Sequence, residues 1–208
     1  MLDILICFDG SVSKTEKKAV GQAARDIYPM FGCDFIFLDS SNWPEQKYGS
    51  AERIIQFSPQ NERKQTDVAT VLTMMSEVKA KWHNPAVMVL FTGEDLAIGD
   101  RWVFGGARIK ARVSVQSMVR YRSLPEHIMA DLVARTLRHE LGHIFGCVTT
   151  PGRSNTEENL GTHCTNPGCS MRQTSTLNEL MRAAMLEDPH DFFCEQCKSE
   201  LRKFRARV

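Results

Sequence analysis

The chain has 208 residues, 42% of them hydrophobic and 25% charged, with a formal net charge of +1. That length can bury a sizeable core, and the composition is that of an ordinary globular protein read as one domain. The balanced charge argues against nucleic acid as a partner, and no stretch approaches the ~20 consecutive apolar residues of a membrane span.

Leu2 to Phe8 is an apolar run of strand type, and Ser13-Lys14-Thr15-Glu16 fits a capping box that opens a helix lasting to about Tyr28. Asp34 to Leu38 reads as a second strand, and Asp39 to Glu62, with Pro44 and Pro59, as a long irregular connection. A second helix is expected from about Asp67 to His83, then a buried strand from Ala86 to Phe91. Strand and helix in alternation favour a mainly parallel sheet with helices packed on it. Trp102 to Ala107 and Lys110 to Gln116 read as a further pair of strands around Arg108. From Pro125 to Leu141 the spacing of Ile128, Leu132, Leu137 and Leu141 is helical, Pro125 suits the first turn, and Gly146 offers a stop.

That last helix carries His139-Glu140-Leu141-Gly142-His143. Residues four apart share a helix face, so both imidazoles can reach one metal ion. Glu140, one residue out of line with the pair, would lie near a water activated by that metal and could accept its proton. A catalytic zinc usually takes three protein ligands, so one more must come from elsewhere. The position six residues beyond His143 is Thr149, a poor zinc ligand. Further on stand His163-Cys164, Cys169, Met171, and the pair Cys194 and Cys197.

In this order the residues resemble the archaemetzincins, metzincin-like zinc metallopeptidases. Their signature is HExxHxxG, a short gap, His-Cys, four residues, Cys-x-Met, a spacer and CxxC. His139, Glu140, His143, Gly146, His163, Cys164, Cys169, Met171, Cys194 and Cys197 all fit it, mainly over Pro125 to Cys197. The resemblance implies an α+β, zincin-like fold. Its elements are a mixed, mostly parallel sheet with an antiparallel edge strand, helices packed on the sheet, an active-site helix and a C-terminal four-cysteine zinc subdomain. It implies one catalytic domain over residues 1–208, an N-terminal part ending at 146 and a C-terminal part from 147. It further implies a catalytic zinc on His139, His143 and His163, Glu140 as general base, Met171 in the methionine turn beneath the metal, and a peptide or protein substrate. The edge strand that pairs with substrate in metzincins falls on Arg112 to Ser117, which makes Arg112, Ser114 and Gln116 candidate substrate contacts.

One stretch departs from the family. The residues Cys147 to Thr162 separate Gly146 from His163, where the family has two. This reads as a surface-loop insertion of about 14 residues, inexpensive because closure entropy grows only logarithmically with length. Glu157 or Glu158, inside it, could replace His163 as third ligand. A lid, a specificity loop or a self-inhibitory plug are all open roles for it.

Without any family, the spacing of Cys164, Cys169, Cys194 and Cys197 suits a closed tetrahedral zinc site, giving two zinc ions in all. Because His163 is bonded to Cys164, the structural metal would anchor the residue that completes the catalytic one. No hydrophobic signal segment opens the chain, so a reducing cytoplasm is the expected home and disulfides are disfavoured. The chain is expected to act as a monomer. A rival reading makes it a non-catalytic zinc-stabilised binding module. The segment between Cys169 and Cys194 is mildly acidic, however, which disfavours nucleic acid as that module's partner. A second rival is a hydrolase of non-peptide amides.

Overall fold

Ile4–Phe8 contains no charged residue because as β1 it lies inside a sheet, and its first four residues are all buried. The computed structural model describes residues 2–38, 51–82 and 85–205. Helix α1 (Lys14–Phe31) begins with the expected capping box: Ser13 Oγ accepts from the Glu16 amide at 3.3 Å and Glu16 Oε2 from the Ser13 amide at 2.6 Å. It runs three residues past Tyr28 and ends where Gly32 adopts φ 61° and donates to Tyr28 O. Then follow β2 (Phe35–Leu38), a short helix α2 (Ala51–Gln56), β3 (Thr66–Asp67), α3 (Val68–Trp82) and β4 (Val87–Thr92). Helix α2 lies within the segment expected to be irregular. Residues 39–50 of that segment, and His83 at the expected end of α3, lie outside the described residues.

Beyond β4 come β5 (Leu96–Ile98), β6 (Arg101–Val103), β7 (Gly105–Arg108), β8 (Val113–Ser117) and the long helix α4 (Glu126–Ile144). After it come β9 (Thr156–Glu158), β10 (Thr162–Cys164), α5 (Leu177–Leu186) and α6 (Glu195–Arg205). The main sheet has the order β2-β1-β4-β8-β7, parallel throughout except for β7, which is antiparallel to β8. It is therefore the mixed, mostly parallel sheet with an antiparallel edge that the resemblance implies.

The period-two alternation of β4 serves two cores. Val87, Val89 and Phe91 pack with α1 and α4, whereas Met88 and Leu90 pack with α3. No described helix is long and apolar enough to cross a membrane.

The edge strand is not the one expected. Residues 113–117 form β8, bonded on one side to β4 and on the other to β7, so this strand is internal. Ser114 and Gln116 are buried. Arg112 stands in the turn before the strand at φ 55°, its guanidinium donating to Pro85 O. Arg112, Ser114 and Gln116 thus present no free backbone edge. That edge belongs to β7, which overlaps the strand expected over Trp102 to Ala107; of the two neighbouring strands, the first and not the second is the outer one.

Candidate metal centre and cleft

Helix α4 carries His139 and His143 one turn apart, and Gly146 closes it at φ 82°, turning the chain away. The chain returns through the hairpin β9–β10, where Thr162, His163 and Cys164 pair with Glu158, Glu157 and Thr156. The insertion is thus a hairpin with defined register. His163 comes back against the helix, its ring centroid 5.1 Å from that of His139 and 5.0 Å from that of His143. Glu157 and Glu158 are exposed and stand outside the cluster.

The donor nitrogens of His139, His143 and His163 lie within 4.8 Å of one another. The Nδ1–H of His139 donates to Ser170 O at 2.8 Å, and that of His163 to Gly161 O at 3.0 Å. A carbonyl can only accept, so both rings keep a bare Nε2 lone pair for the centre, as in second-shell orientation of metal ligands. Two Nε2 atoms, of His139 and His143, face each other at 3.2 Å. Tetrahedral zinc would set two nitrogen ligands about 3.3 Å apart. Burial lowers the pKa of all three rings, with mutual repulsion adding to it for His139 and His143; His143 falls to about 3. Neutral imidazoles converging on one point therefore fit a metal ion better than a proton.

Glu140 is 6% exposed, and burial pushes its carboxyl up to about 8. It has no hydrogen-bond partner among the described residues, and its Oε1 lies beside Gly105, the first residue of β7. On the helix's other side, Met171 Sδ lies 2.2 Å from where a Cβ on Gly142 would stand. Only glycine there lets the methionine seat under the helix, and Met171 O accepts from the Cys164 amide at 3.0 Å.

The four sulfurs of Cys164, Cys169, Cys194 and Cys197 also lie within 4.8 Å of one another. Cys164 to Cys194 is 3.7 Å and Cys169 to Cys197 3.6 Å, too long for disulfides and near the ~3.8 Å of two thiolates on tetrahedral zinc. Imidazole and thiolate are both zinc donors, so zinc suits each cluster.

Several supporting residues carried no sequence signal. Arg153, in the insertion, donates to Cys164 Sγ and Cys197 Sγ at 3.2 Å each and to Glu200 at 2.6 Å. Glu187 accepts from Arg135, from Arg138 at 2.7 Å and from Ser170 Oγ at 2.5 Å. These are long-range pairings of common residue types.

A cleft of about 760 Å³ opens over the histidines. One wall is the run from Ile98 to Ile109; the other holds Val148, Thr149, Asn159 to His163, and Arg172 to Ser175.

No family model matches the chain. It is 34% identical to the archaemetzincin of Methanopyrus kandleri over 113 residues, 54% of this chain and 53% of that protein. The match thus spans about half of that relative. The archaemetzincin of Archaeoglobus fulgidus is 26% identical over 141 residues (67% and 71%), and that of Pyrococcus abyssi 23% over 177 (77% and 82%). The chain is thus similar to archaemetzincins over much of its length. Crystal structures of archaemetzincins show the same fold: that from M. kandleri has a TM-score of 0.68 at 24% identity, covering all of this chain and 96% of that one. The A. fulgidus archaemetzincin, complexed with malonate, gives 0.64 at 21%, covering 96% and 99%.

Proposed function

We propose that this protein is a zinc metallopeptidase with one catalytic and one structural zinc. The observation that carries the reading is the convergence of three neutral imidazoles, two of them held with Nε2 bare, beside the desolvated, unpartnered Glu140 carboxyl group, inside a cleft bordered by the edge strand β7.

Bound by His139, His143 and His163, zinc supplies a Lewis acid that polarises the scissile carbonyl and acidifies water toward neutrality. The residues do the rest. Ser170 O and Gly161 O hold the His139 and His163 rings to the tautomer that leaves Nε2 free. Glu140 takes the proton from the attacking water and returns it to the leaving amine. Burial raises its proton affinity for that exchange. Backbone groups of β7 hold the substrate extended, antiparallel to the strand. Met171 forms the floor beneath α4. Cys164, Cys169, Cys194 and Cys197 hold the second zinc, which suits a reducing, cytoplasmic setting. The working unit is a monomeric single domain.

The test is metal content by native mass spectrometry together with cleavage of a peptide library. Two zinc ions in the wild type, one in His163→Ala, and turnover that disappears in Glu140→Ala with both metals retained are expected. A Glu140→Ala protein cleaving at the wild-type rate would overturn the reading.

A further inference from the structure

A hydrogen bond joins the two walls of the cleft. Arg101, at the start of β6, reaches across to the tip of the inserted hairpin, and its NH1 donates to Asn159 Oδ1 at 3.2 Å. The tip is a tight turn: Leu160 sits at φ 55° and Gly161 at φ 126°, and Gly161 O accepts from the Asn159 amide at 2.9 Å as well as from His163. The same turn therefore orients the third histidine and meets the opposite wall.

Where along the cleft this happens follows from strand direction. Glu140 marks the scissile position, and it lies against Gly105. A peptide antiparallel to β7 passes Arg108 first and Gly105 last, so residues beyond the scissile bond run back past Phe104, Val103 and Trp102 toward Arg101. Four residues at ~3.3 Å each put Arg101 at most about 13 Å from Gly105, the chain bending at Phe104 where it passes from one sheet to the other.

We infer that the Arg101–Asn159 contact is an end wall, so that the cleft takes peptide C-termini, with at most about four residues after the scissile bond, and Arg101 reads the terminal carboxylate. This rests on the peptidase reading above. A guanidinium has five N–H donors, and Asn159 engages only one nitrogen of it. Four other charged groups line the same cleft: Asp100, beside Arg101; Arg135, which is paired with Glu187; Glu140; and Arg172, which gives a donor to Thr165 O at 3.0 Å. A test must therefore separate Arg101 from overall charge. The insertion that supplies Asn159 is the part of this chain with no counterpart in the family signature, so the wall is peculiar to chains that carry it.

The experiment uses zinc-loaded full-length protein and a set of peptides of increasing length, each with a free or amidated C-terminus, products being read by mass spectrometry. Wild type should release C-terminal fragments of four residues or fewer, and amidation should lower kcat/KM by about tenfold, the worth of one charged hydrogen bond. Arg101→Ala should abolish the difference between acid and amide, and Asn159→Ala should lengthen the released fragments while keeping that difference. Both are side chains at the cleft rim, so neither substitution opens the core. C-terminal fragments of ten residues released as readily as short ones would overturn the end wall. An amide cleaved as fast as the acid, or equal discrimination in Arg101→Ala, would overturn the carboxylate contact. If no peptide of any length is cleaved, the peptidase reading itself falls.

Discussion

Arg153 lays its guanidinium against two sulfurs of the four-cysteine cluster, 3.2 Å from both Cys164 Sγ and Cys197 Sγ, while its other arm grips Glu200 at 2.6 Å. Glu200 in turn accepts from the Val148 amide at 2.7 Å and the Thr150 amide at 3.1 Å, tying α6 to the root of the insertion. Four thiolates around one zinc carry a net charge of two minus, which the buried cation partly offsets. Arg153→Met should speed zinc transfer to a chelator roughly 10- to 100-fold, as loss of an outer-sphere partner does. Arg153→Lys should fall between. A competition assay with a chromogenic chelator reads this, and a wild-type rate in Arg153→Met would show the contact to be idle.

Glu187 serves a similar purpose for the histidine cluster. It bridges buried Arg135 and Arg138, and it holds the Ser170 hydroxyl while the Ser170 carbonyl orients His139. Glu187→Gln leaves two buried cations without their charge partner and should cost about 3–5 kcal/mol in denaturant unfolding. In the protein that still folds, zinc should be lost from the histidine site before the cysteine site.

Gly161 stands at φ 126°, where a side chain is strained. Gly161→Ala should cost about 1–3 kcal/mol locally and swing the carbonyl that orients His163. Native mass spectrometry should find one zinc per chain, held by the cysteines. Two tightly held zinc ions would show that His163 needs no such support.

Stability toward acid should depend on Glu16. Burial alone would raise its pKa, but Arg122, 2.8 Å away, and the Ser13 amide and hydroxyl more than reverse this, so its folded pKa is lowered. A lowered folded pKa means the contribution is fully present above the ordinary carboxylate range and is lost as pH falls through the folded value. Arg122→Ala should flatten the unfolding free energy against pH below about 4.3, the unfolded glutamate value, with little change at pH 7 in slope. An unchanged acid limb would refute the pairing.

What could be seen in the sequence was what is local. His139, Glu140 and His143 lie within one helical turn and announce themselves by spacing, as do the cysteine pairs and the capping box at Ser13. What escaped was what only folding brings together. The resemblance puts the edge strand on Arg112 to Ser117, whereas the outer strand is Gly105–Arg108, within a stretch that also reads as strand; which of two neighbouring strands ends a sheet depends on pairing and leaves no local pattern. The stretch from Cys147 to Thr162 reads as loop in composition, yet pairs Glu157 with His163 as a hairpin. Arg153 and Glu187 lie 11 and 17 residues from the nearest partners they serve, Cys164 and Ser170, and nothing in either neighbourhood marks them.

The bareness of β7 has its own consequence. A Cβ on Gly105 would meet Val115 O at 2.8 Å, and one on Gly106 would meet Val68 Cγ1 at the same distance, so neither position tolerates a side chain. The strand that borders the histidine cluster is there reduced to peptide groups. Such a rail can register that a chain is extended and how far along it lies, but says almost nothing about which side chains it bears. On the peptidase reading proposed above, selectivity built on this rail would be metric before it is chemical: it would measure distance to an end and be nearly blind to the letters in between.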